Sequence, residues 1–564
     1  MKKIILFLFL TLSVLNVSSQ YSEFQIFFSS YPPLINWDST WLKTIQEECG
    51  ATGILLYVPW KDHENDKQPG QFYFADLDTA IRKILNRNMK VCIRATFHFK
   101  PTWASSPEYG IFKTNDYQLT HDGALHSNFS DDRNIYTMHP LNFVSDSSKK
   151  YMLNFYTHLV EYLNRTFPGQ IDFIFPSTST NVEMEYQPDQ MCGYSAPELI
   201  AFRTYLNIKY KGDFESLNYN WGSSFKKYDA INPRNYNWHL LAGDTAKFIY
   251  PGGRLDWINY RTSMLKKFID TCAEITHRFG FKMGIELGSI YDQAIEFRGW
   301  YDPTSLAENV DLFKIADIAE YVPNRMFGAD YMRSICRFWM DKVPGKHITF
   351  SNETNWADWN NHSSEDLVRD WKLQMDAFYE KGAETHFVFG WDWHKGDDLK
   401  ALISKYKEWF RSLQTYKNKP LLNSFSYNNA VHLSCEQGNY RGNTISENYE
   451  KGHAYYITFL FLNSIRSFDP VNNIMYGYSG SSEIITNYMI NNFPEYINKF
   501  SALTLTGSSI YIPDKTYIIL TSSDIKVPFY NLTIKIAGDN KPGKLPGSRN
   551  EYNRLRENNV ILGK

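Results

Sequence analysis

The sequence predicts a (β/α)8 barrel followed by a small mixed accessory domain, and three observations carry that prediction. Short β-like runs alternate with helical periods from residue 21 to about residue 410. Acidic and aromatic residues recur just past the ends of the strand-like runs, where barrel enzymes keep their chemistry. No Gly-rich phosphate turn follows an early strand, as a doubly wound sheet would require. The clearest unit lies between Lys346 and Trp393. Apolar runs at 347–350 and 386–389 flank a segment in which Leu367, Trp371, Met375 and Phe378 recur at helical spacing. Strand, helix, strand is one step of a parallel sheet.

Taken in order, the pattern gives strand 24–28, helix 41–49, strand 53–58, helix 77–85 and strand 90–96. A long helical period at 149–163 precedes a fourth strand at 171–175; a helix at 261–277 precedes a fifth at 282–287. A sixth is expected at 315–322, and the unit above supplies the seventh and eighth. The chain length in excess of about 250 residues falls in loops above the strands.

With 564 residues and a net charge of −2, the chain has no basic excess to recruit nucleic acid or an anionic membrane. Aromatic residues make up 16 % of it, enough both to fill a large core and to stack on sugar rings. Residues 1–20 combine two lysines, an apolar run and small polar residues, the pattern of a secretory signal peptide, so a secreted or periplasmic protein is expected. No later stretch approaches the roughly 18 apolar residues of a membrane span, so no membrane insertion is expected. The cysteines stand singly without CxxC spacing; neither a metal site nor a cofactor is expected, although a disulfide or two remains open after export. Sequons occur at Asn128, Asn164, Asn352, Asn361 and Asn531, and a glycan at Asn352 would obstruct the neighbouring acid. The division expected is 1–20 signal peptide, 21–415 barrel and 416–564 accessory domain, the last with a helical stretch near 449–465 and a basic, disordered tail from Lys541.

The candidate site is read from the strand ends. Glu353 follows the seventh strand, and Trp391, Asp392 and Trp393 follow the eighth. Past the fourth strand, in STSTNVEMEYQP, Glu183 and Glu185 compete for one role. Cleaving a glycosidic bond needs one carboxylic acid to protonate the leaving oxygen and a second carboxylate to attack the anomeric carbon or activate water. Glu183 is expected as acid/base and Glu353 as nucleophile. An extended strand through Val182 would aim Glu183 and Glu185 to one side with Glu183 the deeper. Trp391 and Trp393 are expected as a stacking floor, with Trp60, Asp62, His98, Asn181 and Trp356 bonding or walling the ring. Glu286 is a sugar ligand or a partner of the nucleophile, and His98 reads equally as a core histidine.

Several stretches resemble clan A glycoside hydrolases. WKDHENDKQPGQFYFADLD, from Trp60, looks like the segment after the clan's second strand. Residues 201–233 resemble the helix and loop after the fourth strand of family 42 β-galactosidases, with Tyr210, Gly212, Leu217, Asn218, Trp221 and Gly222 in the YG/LN/WG pattern. The stretches 353–356 and 371–393 are similar to that family's nucleophile strand and final strand. The resemblance implies a retaining β-galactosidase-like hydrolase acting on an oligosaccharide or polysaccharide. The sequence departs from the family at the fourth strand, where Asn181 is followed by Val182 rather than Glu, and where Glu183 with Tyr186 is similar instead to β-amylases. An inverting amylase-like hydrolase and a glycan-binding barrel without catalysis therefore stay open. The oligomeric state is not legible.

Overall fold

The computed structural model describes residues 21–419 except 22, 105–109, 126–138, 188–190, 240–248, 288–294, 301–302, 316–345, 354–363, 381 and 393; beyond 419 it describes short strands between 430 and 544. Eight parallel strands make one sheet: β1 (Gln25–Ser30), β2 (Gly53–Pro59), β3 (Lys90–Thr96), β4 (Ile174–Ser177), β5 (Gly284–Leu287), β6 (Leu312–Ile315), β7 (His347–Glu353) and β8 (Thr385–Phe389). The sheet runs from β4 through β1 and β8 to β5, and its ends meet. Ile174 forms a parallel bridge with Met283, and its N–H donates to the Lys282 carbonyl at 3.0 Å. The barrel is closed at that seam.

The strands are buried on both faces, as parallel strands sheathed in helices must be. Directly paired residues of parallel strands face the same side, so the register sorts inside from outside. Early in the strands the interior is apolar: Phe27, Leu55, Cys92, Phe173, Phe175, Leu312 and Phe387 pack together, with Phe27 stacked on Phe387 at 5.1 Å. Gly53 and Gly284 make room for this plug, since a Cβ on either would overlap the ring of Phe27 or Phe175. One or two pleats later the inward positions turn polar: Arg94, Thr96, Ser177, Glu286, Lys314 and Ser351. An apolar floor and a polar rim set the site at the C-terminal end of the barrel.

Outward positions pack on the helices. The helix Ser39–Cys49 starts on Asp38, whose carboxylate accepts from the N–H groups of Thr40 and Trp41. The helix Lys407–Lys417 buries Trp409, Phe410, Leu413 and Tyr416.

Several strands differ from expectation: β5 begins at Gly284 rather than 282, and β7 runs on to Glu353 rather than stopping at 350. β1 extends to Ser30, β4 begins at Ile174 rather than 171, and β6 is Leu312–Ile315, with most of the expected 315–322 outside the described residues. The sixth was displaced because Lys314 interrupts the apolar run, although it points inward to a carboxylate partner. Beyond 419 the described residues are all strand: Ala454–Phe461 pairs antiparallel with Tyr530–Ala537 along its whole length, and Ala430–Leu433 pairs with Ile518–Thr521. This corrects the helix expected near 449–465. The expected leader, residues 1–20, and nearly all of the basic tail lie outside the described residues.

Candidate active site

Two buried charge clusters occupy the rim. In the first, Glu286 of β5 pairs with both Arg94 of β3 and Lys314 of β6, and Arg94 also donates to the Tyr57 hydroxyl at 2.9 Å. In the second, Nη1 of Arg298 lies 2.8 Å from a carboxylate oxygen of Glu183 and 2.8 Å from one of Glu185. Three cations face three carboxylates across the two clusters.

The second cluster depends on a turn. β4 ends at Ser177; Val182 adopts a left-handed φ of 61°, and its N–H donates to the Ser179 carbonyl at 3.1 Å. The chain then doubles back, with the N–H groups of Thr178 and Ser179 on the Glu183 carbonyl and that of Met184 on Glu286. The strand is therefore not extended through Val182, although the two acids still converge on one guanidinium. Glu185 is fully buried, whereas Glu183 keeps 5 % of its surface. Burial pushes the Glu185 carboxyl well up; Arg298 opposes this and the Glu183 charge adds to it.

The other expected residues separate. His98 is fully buried just past β3, with both ring nitrogens unpartnered, and burial, Lys100 and Lys61 push it down to about 3, so the ring is neutral. Asp62 and Asn181 are exposed, Asn181 at the tip of the turn. Trp60 is core: it stacks on Phe155 at 5.8 Å and donates its indole N–H to Glu64. Trp391 is also core, edge-on to Phe410 at 4.8 Å and to Phe28 at 6.0 Å in the layer between barrel and helices. Both indoles are 0 % exposed, so neither offers a face to a sugar, correcting the stacking floor expected at Trp391. Glu353 closes β7 in register with Phe389. Its side chain, Trp356 and Trp393 lie outside the described residues. Asn352 is fully buried and bonded to His386, so it is closed to a glycan in the folded protein.

Four residues were missed. Phe389, half-buried and inward at the end of β8, meets Tyr57 edge-on at 6.0 Å and supplies the aromatic wall that Trp391 does not. Arg94 and Lys314 were legible in principle, because a charge inside a buried strand must find a partner. Arg298 ends the one-turn helix Ile295–Arg298 and gave no signal. Among the described residues, no group of three His, Cys, Asp or Glu side chains could hold a metal, and no helix is long and apolar enough to cross a membrane. The four described cysteines, Cys49, Cys92, Cys192 and Cys272, are buried and unbridged.

The family model described as β-galactosidase, glycoside hydrolase family 42, matches residues 36–397, more than half of the chain. The chain belongs to glycoside hydrolase family 42. Its barrel is similar to the catalytic domain of β-amylase from Paenibacillus polymyxa (14 % identity, 69 % of this chain and 98 % of that one, TM-score 0.51). It is also similar to the β-galactosidase from Bacillus circulans sp. alkalophilus (15 %, 72 % and 58 %, TM-score 0.52) and to that from Marinomonas ef1 (16 %, 70 % and 59 %, TM-score 0.50). At these identities the likeness establishes the fold. The chain spans under three fifths of the length of those family 42 β-galactosidases. Comparison with curated proteins gave no match.

Proposed function

We propose that this family 42 chain is a secreted hydrolase that cleaves a β-linked, galactoside-like bond with retention, using Glu183 as acid/base and Glu353 as nucleophile. Membership of the family supports the bond class. The observation that carries the residue assignment is the shared rim: the Glu183 carboxyl past β4 and the position of Glu353 closing β7 belong to one C-terminal barrel end. Of the two acids after β4, Glu183 alone keeps solvent access, which a group that protonates a substrate oxygen must have.

Glu183 gives its proton to the leaving oxygen as the Glu353 carboxylate attacks the anomeric carbon; Glu183 then takes a proton from the water that releases the sugar. The exposed Asp62 and Asn181 supply hydrogen bonds, Phe389 with Tyr57 supplies the apolar wall, and the fully buried, neutral His98 is part of the packing beneath. Glu286, held by two cations, sits beneath as a structural anchor. The leader at residues 1–20 exports the protein.

The test is a panel of aryl β-glycosides with wild type and Glu353→Gln. The variant should lose several orders of magnitude in kcat with its melting temperature held, and proton NMR of the first-formed sugar should show the β anomer. More than a tenth of activity remaining removes Glu353. An inverted product supports the amylase-like mechanism, and sugar binding without turnover supports a glycan-binding barrel.

A further inference from the structure

The mechanism uses one of the two acids after β4, yet the fold holds both in one unit. Residues 183–186 and 298–300 are joined at three points. The Tyr186 N–H donates to the Arg298 carbonyl at 3.0 Å, the Trp300 indole N–H donates to the Met184 carbonyl at 3.2 Å, and the Arg298 guanidinium lies between the two carboxylates. Gly299 has φ 83°, and a Cβ there would lie 2.9 Å from the Tyr186 ring, so the segments cannot be spaced further apart by an ordinary residue. Behind them Arg261, from the helix Pro251–Arg278, bonds the carbonyls of both Cys192 and Phe297 and lies 3.8 Å over the Tyr186 ring. Arg298 is 3 % exposed and Glu185 is fully buried.

Two carboxyls and one guanidinium have no charge-neutral state unless one carboxyl keeps a proton. In a buried site the neutral state is favoured, because an unbalanced charge there costs several kcal/mol, of the order seen for buried unpaired ions. A plain ion pair of one glutamate with one arginine would hold no proton to give. We propose, on the reading of Glu183 as acid/base, that Glu185 and Arg298 are its positioning residues: Glu185 keeps one proton in the unit, and Arg298 fixes the carboxyl that delivers it. During glycosyl transfer the proton leaves Glu183 for the departing oxygen, and the unit becomes a single net negative charge held by the guanidinium. In the second step the same unit recovers a proton from water. The charged groups that act most on Glu185 are Arg298, which favours its charged form, and Glu183, which opposes it.

A packing role and a proton-holding role separate on the leaving group. An aglycone such as dinitrophenolate departs without help, whereas an alkyl or sugar aglycone needs the proton. Glu185→Gln keeps shape and hydrogen bonding but leaves Glu183 alone with Arg298. It should lose about 10²-fold or more in kcat/KM on an alkyl or disaccharide substrate and under about tenfold on the dinitrophenyl glycoside. Arg298→Met should lose activity on both, and Arg298→Lys should restore much of it, giving a second route to the answer if one variant fails to fold. For Glu185→Gln, equal losses on both substrates, or none, would overturn the proposal. Glu183→Gln distinguishes the two levels: a leaving-group-dependent loss there but not in Glu185→Gln rejects the positioning unit alone, and its absence in both rejects the acid/base assignment as well.

Discussion

At Val182 the backbone holds φ 61°, a left-handed conformation that a branched residue rarely adopts, directly before Glu183. The turn that imposes it is closed by hydrogen bonds from Val182 to Ser179 and from Thr178 and Ser179 to Glu183. Strain stored beside a reacting group is kept when the surroundings over-determine it. Asn tolerates this region, so Val182→Asn should raise stability by about 1 kcal/mol, read as a higher denaturant midpoint with activity unchanged; a lower midpoint removes the strain argument. Asp392 gives a second test. Burial pushes its carboxyl up to about 7 from an ordinary 3.8, outweighing its own backbone N–H and Lys395. The folded protein therefore keeps a proton that the unfolded chain releases. The stability this confers is full below about pH 4 and is lost as pH rises towards 7, by roughly 4 kcal/mol over the whole span. Asp392→Asn should flatten the fall in melting temperature between pH 4.5 and 7.5; parallel curves for variant and wild type would show that another group governs it. Both glutamates after β4 were legible as residue types near a strand end. The turn that carries them was not, because nothing in a valine signals a positive φ and the sequence alone favours extension through it.

Strand ends decide which side chains reach the site. In β8 the inward set is Thr385, Phe387 and Phe389, and continued extension would have carried Trp391 inward as well. Gly390 stops it: with φ 80° it turns the chain, and Trp391 lands against Phe28, Tyr406 and Phe410 on the far side of the sheet. Counting by twos from a strand is reliable only as far as the strand goes, and that limit hid the role of Phe389. The two aromatics should therefore divide their effects. Trp391→Ala should cost about 3 to 5 kcal/mol of stability with little change in KM for the folded fraction, whereas Phe389→Ala should raise KM by about two- to tenfold with a smaller loss of stability. Calorimetry paired with kinetics reads both, and the opposite pattern would return Trp391 to the site.

Over the whole molecule, the alternation of strand and helix made the barrel legible, since eight buried parallel strands each need an apolar run and a covering helix. What escaped was set by long-range pairing. AYYITFLF is apolar at nearly every position, so periodicity does not separate strand from helix, and only its antiparallel partner at Tyr530–Ala537 decides. The boundary near 415 can be argued from the last barrel helix. Lys407–Lys417 presses Trp409, Phe410, Leu413 and Tyr416 into the layer around β1, with Trp409 5.5 Å from Trp371 and Phe410 6.0 Å from Phe28. All the proposed site residues and the seam between Ile174 and Met283 lie before it. A chain ended after Lys419 should therefore stay folded and keep its kcat/KM on an aryl glycoside within about threefold, less than 1 kcal/mol in binding or barrier. One ended after Lys405 strips five large side chains from the core, Tyr406 among them, at about 3 kcal/mol or more for each aromatic, and should not yield a cooperative unfolding transition. Loss of activity in the longer truncation would show that residues beyond 419 complete the site.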